Sequence, residues 1–149
     1  MTLENLRNLE KIGQLKSHVT SREEVQRLFD AARRNLSDAG VEVISCETRF
    51  DSAYKAVMQL ALAAMMANGF RPDTSKPGHH MIVIQSLPQT IGLPTERMTV
   101  LDVLRRKRNL TDYSGGWIEE TSMEQCILEA RNLLRDVEAW FEEQRPDLV

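Results

Sequence analysis

What this sequence has little of sets its first limits. Cysteine occurs only twice, at Cys46 and Cys126, far apart and without metal-ligand spacing, so neither a disulfide framework nor a cysteine-built metal centre organises the chain. The expected setting is reducing and cytoplasmic, with both thiols acting as small buried hydrophobes. Histidine occurs at His18 and at the adjacent pair His79-His80, and neighbours on a helix point about 100° apart. No metal site and no cofactor are expected; the pair reads as a turn that caps the following helix. A charge excess is missing as well. The net charge of −3 gives no global attraction to nucleic acid, so any such contact needs a local basic patch. The opening MTLENLRNLEK lacks the apolar run of a secretory signal. No Ser/His/Asp order and no paired carboxylates point to another enzyme class, and Gly78 stands outside any phosphate-loop pattern.

What is present is a helical core. Ala56–Ala67, AVMQLALAAMMA, has Gln59 as its one polar residue. A surface helix shows a single apolar stripe, so a segment apolar all round is expected to be buried on every side. Strong helix formers dominate it, with Val57 the one β-branched member. At about 18 Å it is shorter than the ~30 Å core of a bilayer, which excludes a membrane span. The helix is expected from about Thr48 to Asn68, with Gly69 as its left-handed stop. Met58, Met65 and Met66 read as core filler.

Around it the periodicity predicts further helices. Leu3, Leu6, Leu9 and Ile12 make a short, partly exposed helix within Met1–Ser17. Ser21-Arg22-Glu23-Glu24 has the form of a capping box before the stripe Val25, Leu28, Phe29, Ala32 and Leu36, which Gly40 closes. Val41–Glu47 is a connector, and Gly69–His80 is the most loop-like stretch. Met81–Leu87 reads as a short helix ended by Pro88. Thr95 or Thr99 can cap a helix over Thr99–Tyr113, which Ser114-Gly115-Gly116 ends. Thr121-Ser122-Met123-Glu124 reads as a second capping box, opening a helix with Met123, Ile127, Ala130, Leu134, Val137 and Phe141 on one face until Arg145-Pro146. Cys126 lies among these apolar residues. The 149 residues form one domain: an all-α, up-and-down bundle of five or six helices.

The Thr99–Tyr113 helix carries the candidate chemistry. Four consecutive cations, Arg105 to Arg108, cannot share one helical face. Asp102, Arg106, Asn109 and Tyr113 fall within roughly 60° of one another, and Asp102 precedes Arg106 in the favourable orientation for an ion pair. Arg105, Arg108 and Asp112 occupy a second sector, while Val100, Val103, Leu104 and Leu110 point to the core. Trp117, after the Gly-Gly turn, is a core anchor or a stacking platform for a base, and core is favoured.

The order of these features resembles the HEPN superfamily of small helical bundles: an apolar central helix, the Gly69-Phe70 turn, Ser75-Lys76-Pro77-Gly78-His79-His80 before a short helix, then Arg108-Asn109-Leu110-Thr111-Asp112-Tyr113. The likeness covers roughly Ser21–Glu143 and is nearest to the branch whose motif ends in Asp-Tyr. It implies a homodimer with the motif helices facing each other. It further implies either a metal-independent ribonuclease of toxin or defence systems or an inactive partner of a nucleotidyltransferase or antitoxin-like protein. The family's catalytic arginine is followed by a histidine. Here that position, counted from Arg108 or Arg106, is Tyr113, and an alternative alignment from Arg106 puts Thr111 there. Tyr113 at a reference pKa near 10 is a poor base, Thr111 does not titrate, and Asp112 is weakly basic. Two guanidiniums, an amide and a phenol remain, which suits binding of a nucleotide or RNA phosphate better than cleavage. If the chain is an enzyme, Arg106, Arg108 and Tyr113 would carry the reaction; as a binder, Asp102, Arg106, Asn109, Asp112 and Tyr113 would line the site.

Overall fold

The central helix is where the sequence puts it. The computed structural model describes residues 2–149, and in it Cys46–Ala67 forms α3, with no residue from Ala56 to Ala67 exposed. Its alanines, among them Ala53, Ala56, Ala61, Ala63 and Ala64, are all buried and let neighbouring helices approach closely. Burial of Phe50, Val57, Leu60 and Met65 contributes about 1.5–3 kcal/mol each. The helix begins two residues before Thr48 because the Ser45 hydroxyl caps it, accepting the Thr48 N–H at 3.1 Å. Gly69, at φ +94°, ends it as expected.

Arg22–Ala39 (α2) and Glu120–Gln144 (α7) make the most extensive contacts with α3. Phe29 and Phe141 meet edge to face at 5.2 Å. The first capping box forms by half: Ser21 accepts the Glu24 N–H at 3.1 Å, but Glu24 is held by His18 and Thr20 instead of reaching back. The second does not form. α7 already begins at Glu120, with Glu119 in the cap position and no side-chain cap, so Thr121 lies inside the first turn, where its hydroxyl cannot cap. Next to it the Ser122 hydroxyl accepts from Lys107 at 2.8 Å and donates to Glu119 at 2.8 Å. Along α7 the stripe is buried except at Leu134, which is half-buried beside buried Leu133.

The N-terminal helix, α1, spans Thr2–Lys11 and stops short of the predicted end because Gly13 turns with φ +82°. Met1 lies outside the described residues. Beyond the turn Leu15–Ser17 (β1) pairs antiparallel with Phe70–Pro72 (β2), which lies in the stretch expected to be loop. Next come α4 (His79–Gln85) and the one-turn α5 (Leu87–Thr90). Pro88 does not end a helix but sits in the first turn of α5, where its missing N–H has no partner to lose. This break brings the count to seven α-helices among the described residues, above the five or six expected. Thr95–Ser114 is α6; neither Thr95 nor Thr99 caps it, Pro94 occupying that position. One core joins side chains from Leu6 to Leu148. No helix among the described residues is long and apolar enough to cross a membrane.

Candidate functional site

α6 rests chiefly on α4, and its N-terminal half is the better buried. Leu101, Asp102 and Leu104 are buried, whereas Val103 and Leu110, expected in the core, are 45% and 69% exposed. The reason is the helical period: Val103 and Leu110, seven residues apart, share the side of α6 opposite buried Leu101 and Leu104. Trp117 is not a core anchor either. It is 88% exposed, because its neighbour Ile118 turns inward instead and donates its N–H to the Glu47 carboxylate at 3.0 Å.

The predicted first sector divides. Arg106, Asn109 and Tyr113 are exposed, Tyr113 at 95%, while Asp102 lies buried at the base. Asp102 is held most closely by Arg105, from the other sector, at 2.8 Å; Arg106 is 3.7 Å away and Gln85 donates at 3.4 Å. The predicted Asp102–Arg106 pair therefore exists as the longer of two.

The second sector faces a cluster that sequence spacing does not reveal. The Arg108 guanidinium lies over the Tyr54 ring, 5.0 Å from its centroid. The Tyr54 hydroxyl meets His80 Nδ1 at 3.3 Å. Asp51 and Asp112 approach Arg108 at 3.9 and 3.7 Å, ion-pair separations too long for hydrogen bonds. Arg108 Nε is buried with no hydrogen-bond partner. Three elements thus converge: α3 brings Asp51 and Tyr54, α4 brings His80, and α6 brings Arg105, Arg108 and Asp112.

The histidine pair does not cap a helix. Gly78, at φ +80°, occupies that position, and the two imidazoles open α4 edge to face with centroids 4.8 Å apart. Burial, then the neighbouring His79, Arg108 and Arg105, hold His80 below the ordinary imidazole range, so it is neutral at pH 7. Its Nε2 makes no hydrogen bond among the described residues. Burial pushes the Tyr54 phenol up to about 12, which keeps it a hydrogen-bonding group and not a base. Burial and the adjacent Asp112 raise the Asp51 carboxyl. Sequence offered one signal for this cluster: Tyr54 is a polar-tipped ring in the core helix, and such a hydroxyl needs a partner. Among the described residues no three His, Cys, Asp or Glu side chains converge as a metal would require.

No protein-family model matches this chain, and no curated protein or solved structure shows significant similarity to it.

Proposed function

We propose that this chain is a HEPN-like component of a two-component system, toxin–antitoxin or nucleotidyltransferase-linked, that binds a phosphate of a nucleotide or of RNA at Arg108. One observation carries the reading: Arg108 is a guanidinium whose donors are not used up. Arg105 is committed to Asp102, and Lys107 to Ser122 and Glu119. Arg108 instead has carboxylates beyond hydrogen-bond range, so the terminal nitrogens of its partly exposed side chain keep donors for a ligand, while its unpartnered Nε lies buried behind them. A phosphate oxygen accepts from such a fork well. Exposed Arg106, Asn109 and Tyr113 on the same helix extend the surface available to a longer ligand. The uncovered face of Val103, Leu110 and Tyr113 fits a symmetric pairing of two α6 helices, or docking of an antitoxin-like or nucleotidyltransferase partner.

Titration with a nucleoside triphosphate and a single-stranded oligoribonucleotide at two salt concentrations tests the reading. Arg108→Ala should weaken binding roughly tenfold or more, the loss of a charge-assisted hydrogen bond. Asp51→Asn, which removes a competing carboxylate, should strengthen it. Equal affinity for wild type and Arg108→Ala would overturn the proposal.

His80 favours a second reading, a metal-independent endoribonuclease. A neutral imidazole beside Arg108 and Arg105 supplies, from α4, the base that the α6 motif lacks. Cleavage of RNA in EDTA, lost in both His80→Ala and Arg108→Ala, would select this reading; no cleavage would leave the binding role.

A further inference from the structure

A groove of about 390 Å³ lies between α1 and the α4–α5 pair, away from Arg108, and it differs chemically from four other depressions on the surface. Those are rimmed by charged groups, as at Arg34, Asp38 and Lys55 or at Arg97 and Asp136. This one has no charged residue in its lining. Asn5 and Asn8 of α1 and Gln85 and Gln89 of α4–α5 line it with Leu9 and Ile82, both half-buried, and with Ile12, 67% exposed. The volume is at the low end of the ~300–1,000 Å³ of small-molecule sites, suited to one ring system.

The four carboxamides are not equivalent. Gln85 commits its nitrogen to Asp102 at 3.4 Å. Gln89, in the orientation that satisfies its amide, donates to the Gln85 and Ser86 carbonyls at 3.3 Å. Both glutamines therefore keep a carbonyl oxygen free to accept. Asn5 and Asn8 make no side-chain hydrogen bond among the described residues, so each offers a donor and an acceptor. A ligand that matches this wall is uncharged, flat enough to lie on Leu9 and Ile82, and carries N–H donors on the edge turned toward the glutamines. The amino group of adenine donates to such an oxygen, and its neighbouring ring nitrogen can accept from a free Asn5 or Asn8 amide.

We infer that the α1/α4–α5 groove is a binding site for an amino-substituted planar heterocycle of nucleobase size. The site stands apart from the Arg108 reading, since a nucleoside without phosphate suffices to fill it. The test is an NMR titration of the ¹⁵N-labelled protein with adenosine, following the side-chain amide resonances of Asn and Gln. Saturable shifts at Asn5, Asn8, Gln85 and Gln89 are expected. Purine riboside, which lacks the amino group, should bind roughly three- to tenfold more weakly, as for one lost hydrogen bond. Asn8→Leu and Gln89→Leu, at positions where the fold is not at stake, should each weaken adenosine by a similar factor. No saturation, shifts confined to the Arg108 cluster, equal binding of the two nucleosides, or insensitivity to both substitutions would overturn the inference. Inorganic phosphate added to the same sample reports on Arg108 separately, so either site can fail without the other.

Discussion

Adjacent in sector but opposite in surroundings, Arg105 and Arg108 should respond very differently to the same substitution. Methionine keeps much of the stem and removes the charge. At position 105 the side chain is 12% exposed and bonded at 2.8 Å to Asp102, itself 11% exposed, so Arg105→Met strands a buried carboxylate. Breaking such a pair costs about 3–5 kcal/mol; Arg106 at 3.7 Å and Gln85 at 3.4 Å stay within reach, so the low end, ~3 kcal/mol, applies. At position 108 the terms oppose each other. Arg108→Met forfeits a cation–π contact of about 0.5–2 kcal/mol and half-exposed ion pairs worth at most ~1 kcal/mol. Against that it removes a buried donor without a partner, a relief of about 1–3 kcal/mol. At the middle of these ranges the terms cancel to within about 1 kcal/mol. At ~2–4 °C per kcal/mol for a chain of this size, Arg105→Met should lower Tm by about 6–12 °C and Arg108→Met by about 4 °C at most. Urea unfolding followed by far-UV circular dichroism, with matching m-values, measures both. Equal destabilisation, or the reverse order, would refute the assignment of Arg105 to structure and Arg108 to a ligand.

Leu60 is 0% exposed, so Leu60→Asp places an unpaired charge in the core at a cost of several kcal/mol; a soluble variant with an unchanged melting curve would contradict the burial. The hydrogen bond from His18 at 2.6 Å holds the Glu24 carboxyl below the usual carboxylate range, with Thr20 adding to it. A lowered carboxylate stabilises above the ordinary glutamate pKa and loses that effect as pH falls through the folded value. Glu24→Gln should therefore be less stable than wild type at pH 7 and converge with it in acid, as paired denaturation curves would show; identical curves at pH 7 would exclude the linkage. If the uncovered α6 face pairs two copies, sedimentation equilibrium should give twice the 17.0 kDa chain mass, and Leu110→Glu should return it to a single chain.

The helices were legible wherever one local rule governed them. α3 announced itself because its segment is apolar all round, and α2 and α7 because their apolar residues recur at three and four. What escaped needed a partner elsewhere in the chain. The three-residue strands β1 and β2 have no signal of their own and exist only because Ser17 and Phe70 come together. Thr121–Glu124 fits the capping pattern, yet the helix starts one residue earlier at Glu120, which puts Thr121 inside the first turn, while Glu119 in the cap position is bonded to Ser122 and Lys107. Position on the helical wheel put Arg105, Arg108 and Asp112 in one sector, but it could not say which sector faces the protein, nor that Arg105 reaches across to Asp102. For the same reason His80 was invisible to a search along α6: it comes from α4, through Tyr54 of α3.

The short β1–β2 ribbon also governs how the molecule can open. Among the described side chains of α1 only Leu6 is fully buried, and the helix is otherwise tied to the body by contacts with α5 and by the ribbon. The ribbon's register hydrogen bonds are extended at its ends by His18 N–H to Gly69 O at 2.9 Å and Asp73 N–H to Gln14 O at 3.1 Å. Such a segment can detach while the α2–α3–α7 core stays intact, because the free energy of a local opening scales with the buried surface it exposes. Amide exchange in α1 and β1 should then be faster than in α3, with both segments protected as one cooperative unit. One wall of the carboxamide groove would thus be a door hung on a three-residue hinge plate, and a ligand seated there should slow the exchange of the door while leaving that of the frame unchanged.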